Sequence, residues 1–143
     1  AYIFSYFLTL SGLPQLVAQF FTGLEVSRYI ILIGVLLVYL VLGVIMDELA
    51  MLVITTPIFL PIIVGLGFNP IWYGVMMVIS MMQGQLTPPI GITLYIIAAT
   101  DKDVLLSDVF KYVAPYLAVL IIFMFVLILF PQLALFLPNL MAG

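Results

Sequence analysis

The chain has 143 residues, of which 67% are hydrophobic and only 6% are charged. Because a soluble domain carries about a quarter charged residues, this composition excludes a water-covered globular domain and predicts an integral membrane protein. The net charge of −3 includes no basic tract for nucleic acid, and the lack of cysteine and histidine excludes thiolate chemistry and the usual zinc and haem ligands.

Charged residues are missing from long stretches of the sequence, which we interpret as membrane helices. These stretches are residues 1–24, 29–46, 49–100 and 112–143. An uncharged apolar run of this kind is long enough to cross the hydrocarbon of a bilayer, which takes about 20 helical residues. The sequence therefore predicts an all-α integral membrane fold.

The N-terminal region is predicted to contain the end of one helix and a short second helix. The break lies at the sequence SGLP, where Pro14 suits the first turn of a new helix. A helix that ends near Gly23 is too short to cross a bilayer, so we expect it to lie along the membrane interface. Glu25 and Arg28 then mark a polar boundary.

The next part of the chain is predicted to form a helical hairpin. Its apolar arms, residues 29–46 and 49–67, meet at Asp47 and Glu48. A carboxylate within an apolar region is a candidate functional group, but a helix that ends at the interface would look the same, and both interpretations stay open for Asp47. Gly43, one turn earlier, would permit close backbone approach at this level.

The sequence GQLTPPIG, residues 84–91 of an uncharged run, predicts a broken helix. Because prolines have no N–H, the two here remove the helical donors of the Gly84 and Gln85 carbonyls. Irregular backbone at membrane depth must line a cavity or be buried in protein. Carbonyl oxygens beside the Thr87 hydroxyl would form a neutral site suited to Na⁺. The alternative is a proline-kinked helix whose gaps are filled by neighbouring helices and water.

Aromatic and polar residues mark the remaining boundaries. Trp72 and Tyr73 follow the turn GFNP and are predicted interfacial anchors. Ser107 or Asp108, at the end of the polar loop TDKDVLLSD, is predicted to cap a last helix that reaches about Pro131, with a tail beyond it.

The hairpin also predicts a topology. A hairpin enters and leaves on one side, so Glu25, Arg28 and Asn69 should share a side and the loop at residues 100–108 should lie opposite. Lys102 and Lys111, set against Arg28, favour a cytoplasmic loop and a periplasmic C-terminus.

A series of spaced motifs resembles the large membrane subunit of TRAP (tripartite ATP-independent periplasmic) transporters, within the ion transporter superfamily. The motifs are GVIMD at 43–47, TTPIFLPI at 55–62, GFNP at 67–70, GQLTPPIG at 84–91 and FPQLALFLP at 130–138. Ser80 and Thr93 stand where many members have Asn, which leaves the exact solute open.

The resemblance implies an elevator fold, with this chain as the second of two inverted repeats. The expected regions are a scaffold helix end and interfacial arm helix (1–27), a re-entrant hairpin and discontinuous helix of the transport domain (28–100), and a polar loop, final membrane helix and tail (101–143). The resemblance further implies Na⁺ ligands at Gly43, Met46, Asp47, Gly84 and Thr87, and solute contacts at Thr87, Pro88 and Gly91.

The function implied is Na⁺-coupled import of carboxylate-bearing solutes, with Na⁺ as coupling ion and no other cofactor. The expected partners are the first repeat of the same subunit, a small membrane subunit, a periplasmic solute-binding protein and the bilayer of a bacterial or archaeal inner membrane. Alternatives are a carrier of the same superfamily without a binding protein and a non-catalytic structural subunit. An intramembrane enzyme is disfavoured, because Asp47 has no second intramembrane Asp to form a catalytic pair.

Overall fold

Helices make up most of the chain that the computed structural model describes, which comprises residues 3, 6–7, 10–23, 26–100 and 104–142. We number the helices within those residues α1 (Leu13–Thr22), α2 (Arg28–Ile45), α3 (Glu48–Gly65), α4 (Pro70–Leu86), α5 (Ile92–Thr100), α6 (Leu106–Leu129) and α7 (Gln132–Ala142). Residues 3, 6, 7 and 10 are helical as well. The rest of the predicted first helix, Glu25 and Lys102 lie outside the described residues. The all-α prediction is confirmed.

Helix α1 follows the break predicted at SGLP. Gly12, just before the helix, has a φ of +68°, a left-handed conformation that glycine adopts without steric cost. Pro14 lies in the first turn and Gly23 ends the helix. The ten residues of α1 extend about 15 Å and pack against α3. The short helix is confirmed, and its position along a membrane interface stays a prediction.

Helices α2 and α3 form the predicted hairpin, linked by residues 46–47. Towards the tip, the hydroxyl groups of Tyr39 in α2 and Thr55 in α3 lie 2.9 Å apart. At the base, the ring of Tyr29 meets the ring of Phe68 edge-on, with centroids 5.6 Å apart. The chain therefore enters and leaves the hairpin at the same end. Each arm has 18 residues and is long and apolar enough to cross a membrane, so the re-entrant form stays a prediction.

Helix α4 runs parallel to α2 and packs along it. Near their starts, Arg28 of α2 and Trp72 of α4 line one pocket. Near their ends, Gly43 and Gly84 meet backbone to backbone. A Cβ added to Gly84 would lie 2.5 Å from the carbonyl oxygen of Leu40 and 2.8 Å from the Cα of Gly43. The distance between the two helices therefore requires glycine at this crossing.

Trp72 and Tyr73 are not interfacial anchors, which corrects the prediction. They are 2% and 1% exposed, because α4 is packed against both α2 and α6. The indole N–H of Trp72 donates to the carbonyl of Leu127 at 2.9 Å. That carbonyl would ordinarily accept from the residue four positions later, which is Pro131 and has no N–H. The buried indole supplies the donor that the proline lacks.

The predicted cap of the last long helix is also wrong. Helix α6 begins at Leu106, so Ser107 and Asp108 lie inside its first turn, and Leu105 at the cap position makes no side-chain bond. The carboxylate of Asp108 suits that turn because it lies near the positive end of the helix dipole. Pro115 is accommodated inside α6.

The predicted tail is a helix. Helix α7 begins just after Pro131, with the N–H of Ala134 donating to the Pro131 carbonyl at 3.1 Å. Ala134 and Leu135 pack against the hydrophobic core. This packing stabilises a short helix that the sequence pattern alone did not indicate.

The described chain has two distinct ends. Arg28, Asn69 and Pro131 line one pocket, which Ile128 of α6 also lines. Ser107 lies at the other end of α6, whose 24 residues extend about 36 Å. Arg28 and Asn69 therefore share an end and Ser107 lies opposite, as the hairpin predicts. Which end faces the cytoplasm stays a prediction.

The two ends can be tested by labelling, because the sequence contains no cysteine. We expect Asn69→Cys and Ser107→Cys to react with a membrane-impermeant maleimide from opposite sides of the membrane. Lys111→Cys, one turn along α6 from Ser107, is the control and should follow Ser107. Labelling of Asn69→Cys and Ser107→Cys from the same side would contradict this arrangement.

The glycine crossing predicts an unequal effect of two alanine substitutions in α4. Gly84→Ala should destabilise the protein by about 1–3 kcal/mol, because its Cβ would meet backbone groups that cannot move aside. A Cβ on Gly74 meets nothing within 4 Å, so Gly74→Ala should be neutral or slightly stabilising. Thermal melting of the purified protein measures both, and equal melting temperatures would rule out a tight crossing.

Candidate functional site

The hairpin tip is a short extended link between α2 and α3. Helix α2 ends at Ile45, and Met46 and Asp47 have ψ angles of 152° and 144°. The side chain of Asp47 is exposed. Its Oδ2 accepts from the N–H groups of Leu49 at 3.1 Å and Ala50 at 3.3 Å. Asp47 therefore caps α3, since its oxygen satisfies donors that have no helical acceptor.

The break between α4 and α5 is confirmed, and it leaves fewer carbonyls unpaired than the sequence predicts. The N–H of Thr87 donates to the carbonyl of Gly84 at 3.1 Å, and the Thr87 hydroxyl donates to the carbonyl of Gln83 at 2.6 Å. The Gly84 carbonyl thus keeps a donor, which corrects the prediction. The Gln85 carbonyl has none from the helix, because its donors would be the two prolines. Gly91 packs against that oxygen, where a Cβ would not fit.

Two helix C-termini meet at this level. Helix α2 ends at Ile45 and α4 ends at Leu86, and the contact between Gly43 and Gly84 holds these ends side by side. The last carbonyls of a helix lack helical donors and carry roughly half a negative charge. The Thr87 hydroxyl has committed its proton to a carbonyl, so its oxygen can still act as a ligand.

The oxygens available here are mostly neutral ones. In the described ranges no group of three or more His, Cys, Asp and Glu side chains lies close enough together to hold a metal ion. Carbonyl and hydroxyl oxygens are the ligands that hard cations take. A monovalent hard cation such as Na⁺ matches this donor set.

Of the predicted solute contacts, Thr87 is the C-cap of α4, whereas Pro88 and Gly91 lie between it and α5. Gly91 is buried and its N–H donates to the carbonyl of Thr87 at 3.0 Å, while Pro88 is partly buried. The carbonyl of Pro89 accepts from the Tyr95 hydroxyl at 2.6 Å. The first N–H groups of α5 mark the positive end of that helix. The break therefore sets the negative end of α4 beside the positive end of α5.

A chain of buried hydroxyl groups joins the hairpin to α4. The Tyr73 hydroxyl lies 3.0 Å from that of Tyr39, which lies 2.9 Å from the Thr55 Oγ1. Thr55 Oγ1 also lies 2.7 Å from the carbonyl of Met51. The Thr55 hydroxyl has one proton, and the Met51 carbonyl can only accept, so Thr55 donates to that carbonyl. The Tyr39 hydroxyl then donates to Thr55, and the Tyr73 hydroxyl donates to Tyr39. Each of the three hydroxyl protons therefore has an acceptor, and the hydrogen bonds join both arms of the hairpin to α4.

Gln83 is a buried polar residue that the sequence motifs did not single out. This side chain is 2% exposed, and its Nε2 has no hydrogen-bond partner within the described part of the chain. Gln83 and Ser80 are the polar members of an otherwise apolar cavity of about 220 Å³ between α2, α4 and α6. An amide within a long uncharged run was the available signal, because an amide in hydrocarbon needs a partner.

The structure brings some of the predicted Na⁺ residues together, and Met46 and Asp47 lie in the link at the hairpin tip. Gly43 and Gly84 are in contact, and Thr87 lies one turn beyond Gly84. The side chain of Met46 packs against the core. Because its thioether contains no oxygen, only the backbone carbonyl of Met46 could supply an oxygen ligand. Asp47 is exposed at the tip, and its described hydrogen bonds are those of the cap.

Comparison with known proteins identifies relatives of the chain. The family model "Tripartite ATP-independent periplasmic transporter, DctM component" matches residues 1–133. The chain is 34% identical over 139 residues to the C4-dicarboxylate TRAP transporter large permease protein DctM of Pseudomonas aeruginosa, covering 97% of this chain and 32% of that protein. It is 31% identical over 141 residues to the sialic acid TRAP transporter large permease protein SiaM of Vibrio cholerae, covering 99% and 33%.

A third relative is the isethionate TRAP transporter permease protein DctMQ of Oleidesulfovibrio alaskensis, 31% identical over 136 residues, covering 95% of this chain and 21% of that protein. The chain thus spans about a third or less of the length of these relatives. The matches and the apolar helices together indicate a multi-pass membrane protein. The resemblance in the motifs is confirmed, and the chain belongs to the DctM component family of tripartite ATP-independent periplasmic transporters, as part of a large permease subunit.

Proposed function

We propose that the chain is the C-terminal part of the large membrane subunit of a Na⁺-coupled TRAP transporter that imports carboxylate-bearing solutes. The observation that carries this proposal is the meeting of the α2 and α4 C-termini at the Gly43–Gly84 contact. Two negative helix ends, a hydroxyl oxygen and carbonyls without helical donors would attract a dehydrated cation. The relatives are permease subunits, so we propose transport and no catalytic role.

The same geometry supports binding of an anionic solute next to the cation. The positive end of α5 lies directly after the break, and Thr87, Pro88 and Gly91 form its approach. The relatives are named for C4-dicarboxylate, sialic acid and isethionate, which are all small organic anions. A bound Na⁺ would then raise the affinity for the anion by direct electrostatic attraction.

We further propose that the hairpin and α4 move together as part of an elevator. The hydroxyl chain and the glycine crossing would keep the ion site intact during that movement. The remaining repeat of the subunit, a small membrane subunit and a periplasmic binding protein would complete the transporter in an inner membrane. A carrier without a binding protein is the alternative, and solute uptake by proteoliposomes with and without the purified binding protein separates the two.

The Thr87 hydroxyl gives the most direct test of the ion site. In the complete transporter, Thr87→Ala should raise the Na⁺ concentration for half-maximal uptake by roughly tenfold, because it removes one oxygen ligand. Thr87→Ser keeps the oxygen and should change this value little. Solute uptake by proteoliposomes at varied Na⁺ measures the effect. Equal half-maximal Na⁺ concentrations for Thr87→Ala and wild type would show that the hydroxyl is not an ion ligand.

The proline pair provides a second variant at the same site. Replacing Pro88 and Pro89 together with Ala restores two N–H groups, so a continuous helix can form and supply the donor that the Gln85 carbonyl lacks. The Na⁺ concentration for half-maximal uptake should then rise more than it does in Thr87→Ala. A folded double variant with unchanged Na⁺ dependence would show that the break is not an ion site.

The carboxylate of Asp47 is tested by a substitution that keeps its capping function. Asn caps helices as well as Asp does, so Asp47→Asn should preserve α3 while removing the charge. We expect it to raise the Na⁺ concentration for half-maximal uptake in the complete transporter, whereas Glu48→Gln should have little effect. Small and equal effects from both variants would assign Asp47 to the cap alone.

A further inference from the structure

A second pocket lies at the hairpin base, at the opposite end of α4 from the break. It has a volume of about 220 Å³ and is formed by the start of α2, the turn before α4 and the end of α6. The residues that matter for its chemistry are Arg28, Tyr29, Phe68, Asn69, Trp72 and Pro131. It therefore combines one cationic side chain, an amide and an aromatic wall.

The guanidinium of Arg28 lies against two aromatic rings. Its central carbon lies 5.2 Å from the ring centroid of Tyr29 and 5.3 Å from that of Phe68, which places it in cation–π contact with both. A Cβ on Gly67 would come within 3.8 Å of Nη1. Cation–π contact uses no oxygen acceptor, so the N–H groups of the guanidinium can still donate to two oxygens of a phosphate at once.

The aromatic wall is fixed in place. Phe68 stacks on Trp72 with ring centroids 5.4 Å apart and an angle of 21° between the planes. Trp72 is in turn held by its hydrogen bond to the Leu127 carbonyl. The arginine is therefore positioned before a ligand arrives, which lowers the entropy cost of binding.

Backbone and amide groups add to the positive character of the pocket. Arg28 is the first residue of α2, and Ser27 at the cap position makes no side-chain cap, so the first N–H groups of the helix lack that acceptor. The side-chain carbonyl of Asn69 accepts from the N–H groups of Ile71 and Trp72, at 2.8 and 3.3 Å. Its NH₂ group is thereby the end left to donate.

The surroundings of the pocket are apolar and exposed. Ile71, Leu129 and Phe130 are each more than half exposed at this end of the chain. A cationic pocket at the end of apolar helices, bordered by exposed apolar side chains, matches a phospholipid whose phosphate enters the pocket while its acyl chains lie along the helices.

We infer that this pocket binds the phosphate of an anionic phospholipid through the Arg28 guanidinium. A phospholipid headgroup and free inorganic phosphate both offer this phosphate chemistry. The exposed apolar border of the pocket favours the phospholipid. This assignment is independent of the proposed Na⁺ site, because it concerns the other end of α2 and is measured by binding.

The test uses the purified complete transporter. The protein is delipidated and mixed with vesicles of phosphatidylcholine that contain or lack phosphatidylglycerol, and bound lipid is counted by native mass spectrometry. We expect wild type to retain phosphatidylglycerol in preference to phosphatidylcholine. Arg28→Gln should weaken that retention about tenfold, and Arg28→Lys, which keeps the charge without the planar fork, should fall between them.

Lys111→Gln is the matched control, because it removes a basic residue near the start of α6, at the opposite end. It should retain phosphatidylglycerol as wild type does. A second variant, Glu25→Gln, removes the nearest acidic residue in sequence and should not weaken retention.

Several results would overturn the inference. One is equal retention of the two lipids by wild type, and another is an equal loss from Arg28→Gln and Lys111→Gln. Displacement of phosphatidylglycerol by inorganic phosphate at comparable concentration would assign the pocket to a soluble anion instead. Displacement by the acidic surface of a periplasmic binding protein would assign it to a protein partner.

Discussion

Every backbone carbonyl that lies in hydrocarbon needs a hydrogen-bond donor, and this constraint underlies the contacts that define the described chain. The sequence has nine prolines, and each proline inside a helix removes the N–H that a carbonyl one turn earlier would use. The Trp72 indole donates to the carbonyl of Leu127, the backbone N–H of Thr87 to that of Gly84, and the Thr87 hydroxyl to that of Gln83. Near the prolines, side-chain donors therefore supplement those of the backbone and fix which residues must meet.

The same constraint concentrates the remaining oxygens at one level of the described chain. At the Gly43–Gly84 crossing two helices end side by side, because no side chain separates them. The hairpin is also fixed against α4 by the buried hydroxyls of Tyr39, Tyr73 and Thr55, which lie on the hairpin-base side of the glycine crossing. A group of carbonyl oxygens in a rigid frame is costly to leave empty in hydrocarbon. In the proposed transporter, binding of Na⁺ would relieve that cost, and the frame would preserve the site as the helices move.

Local chemistry predicted some of these features and tertiary packing decided the others. The proline pair predicted the broken helix, and the polar pair at Asp47 predicted the hairpin tip, because both signals act within a few residues. The burial of Trp72 and the helical structure of the α7 segment depend on contacts with distant helices, which the periodicity of the sequence does not reveal. The burial of the Gln83 amide could not be predicted for the same reason, since it follows from the packing of α2, α4 and α6 around it.

The bond between Trp72 and the Leu127 carbonyl has a consequence for how this sequence can evolve. A carbonyl oxygen has two lone pairs, so an ordinary residue at position 131 could donate to it while the indole still does. Loss of the indole, by contrast, would leave the carbonyl beside Pro131 without a donor. In lineages that descend from this sequence, Pro131 should therefore be free to change while Trp72 is present, whereas Trp72 should be lost only after residue 131 has ceased to be proline.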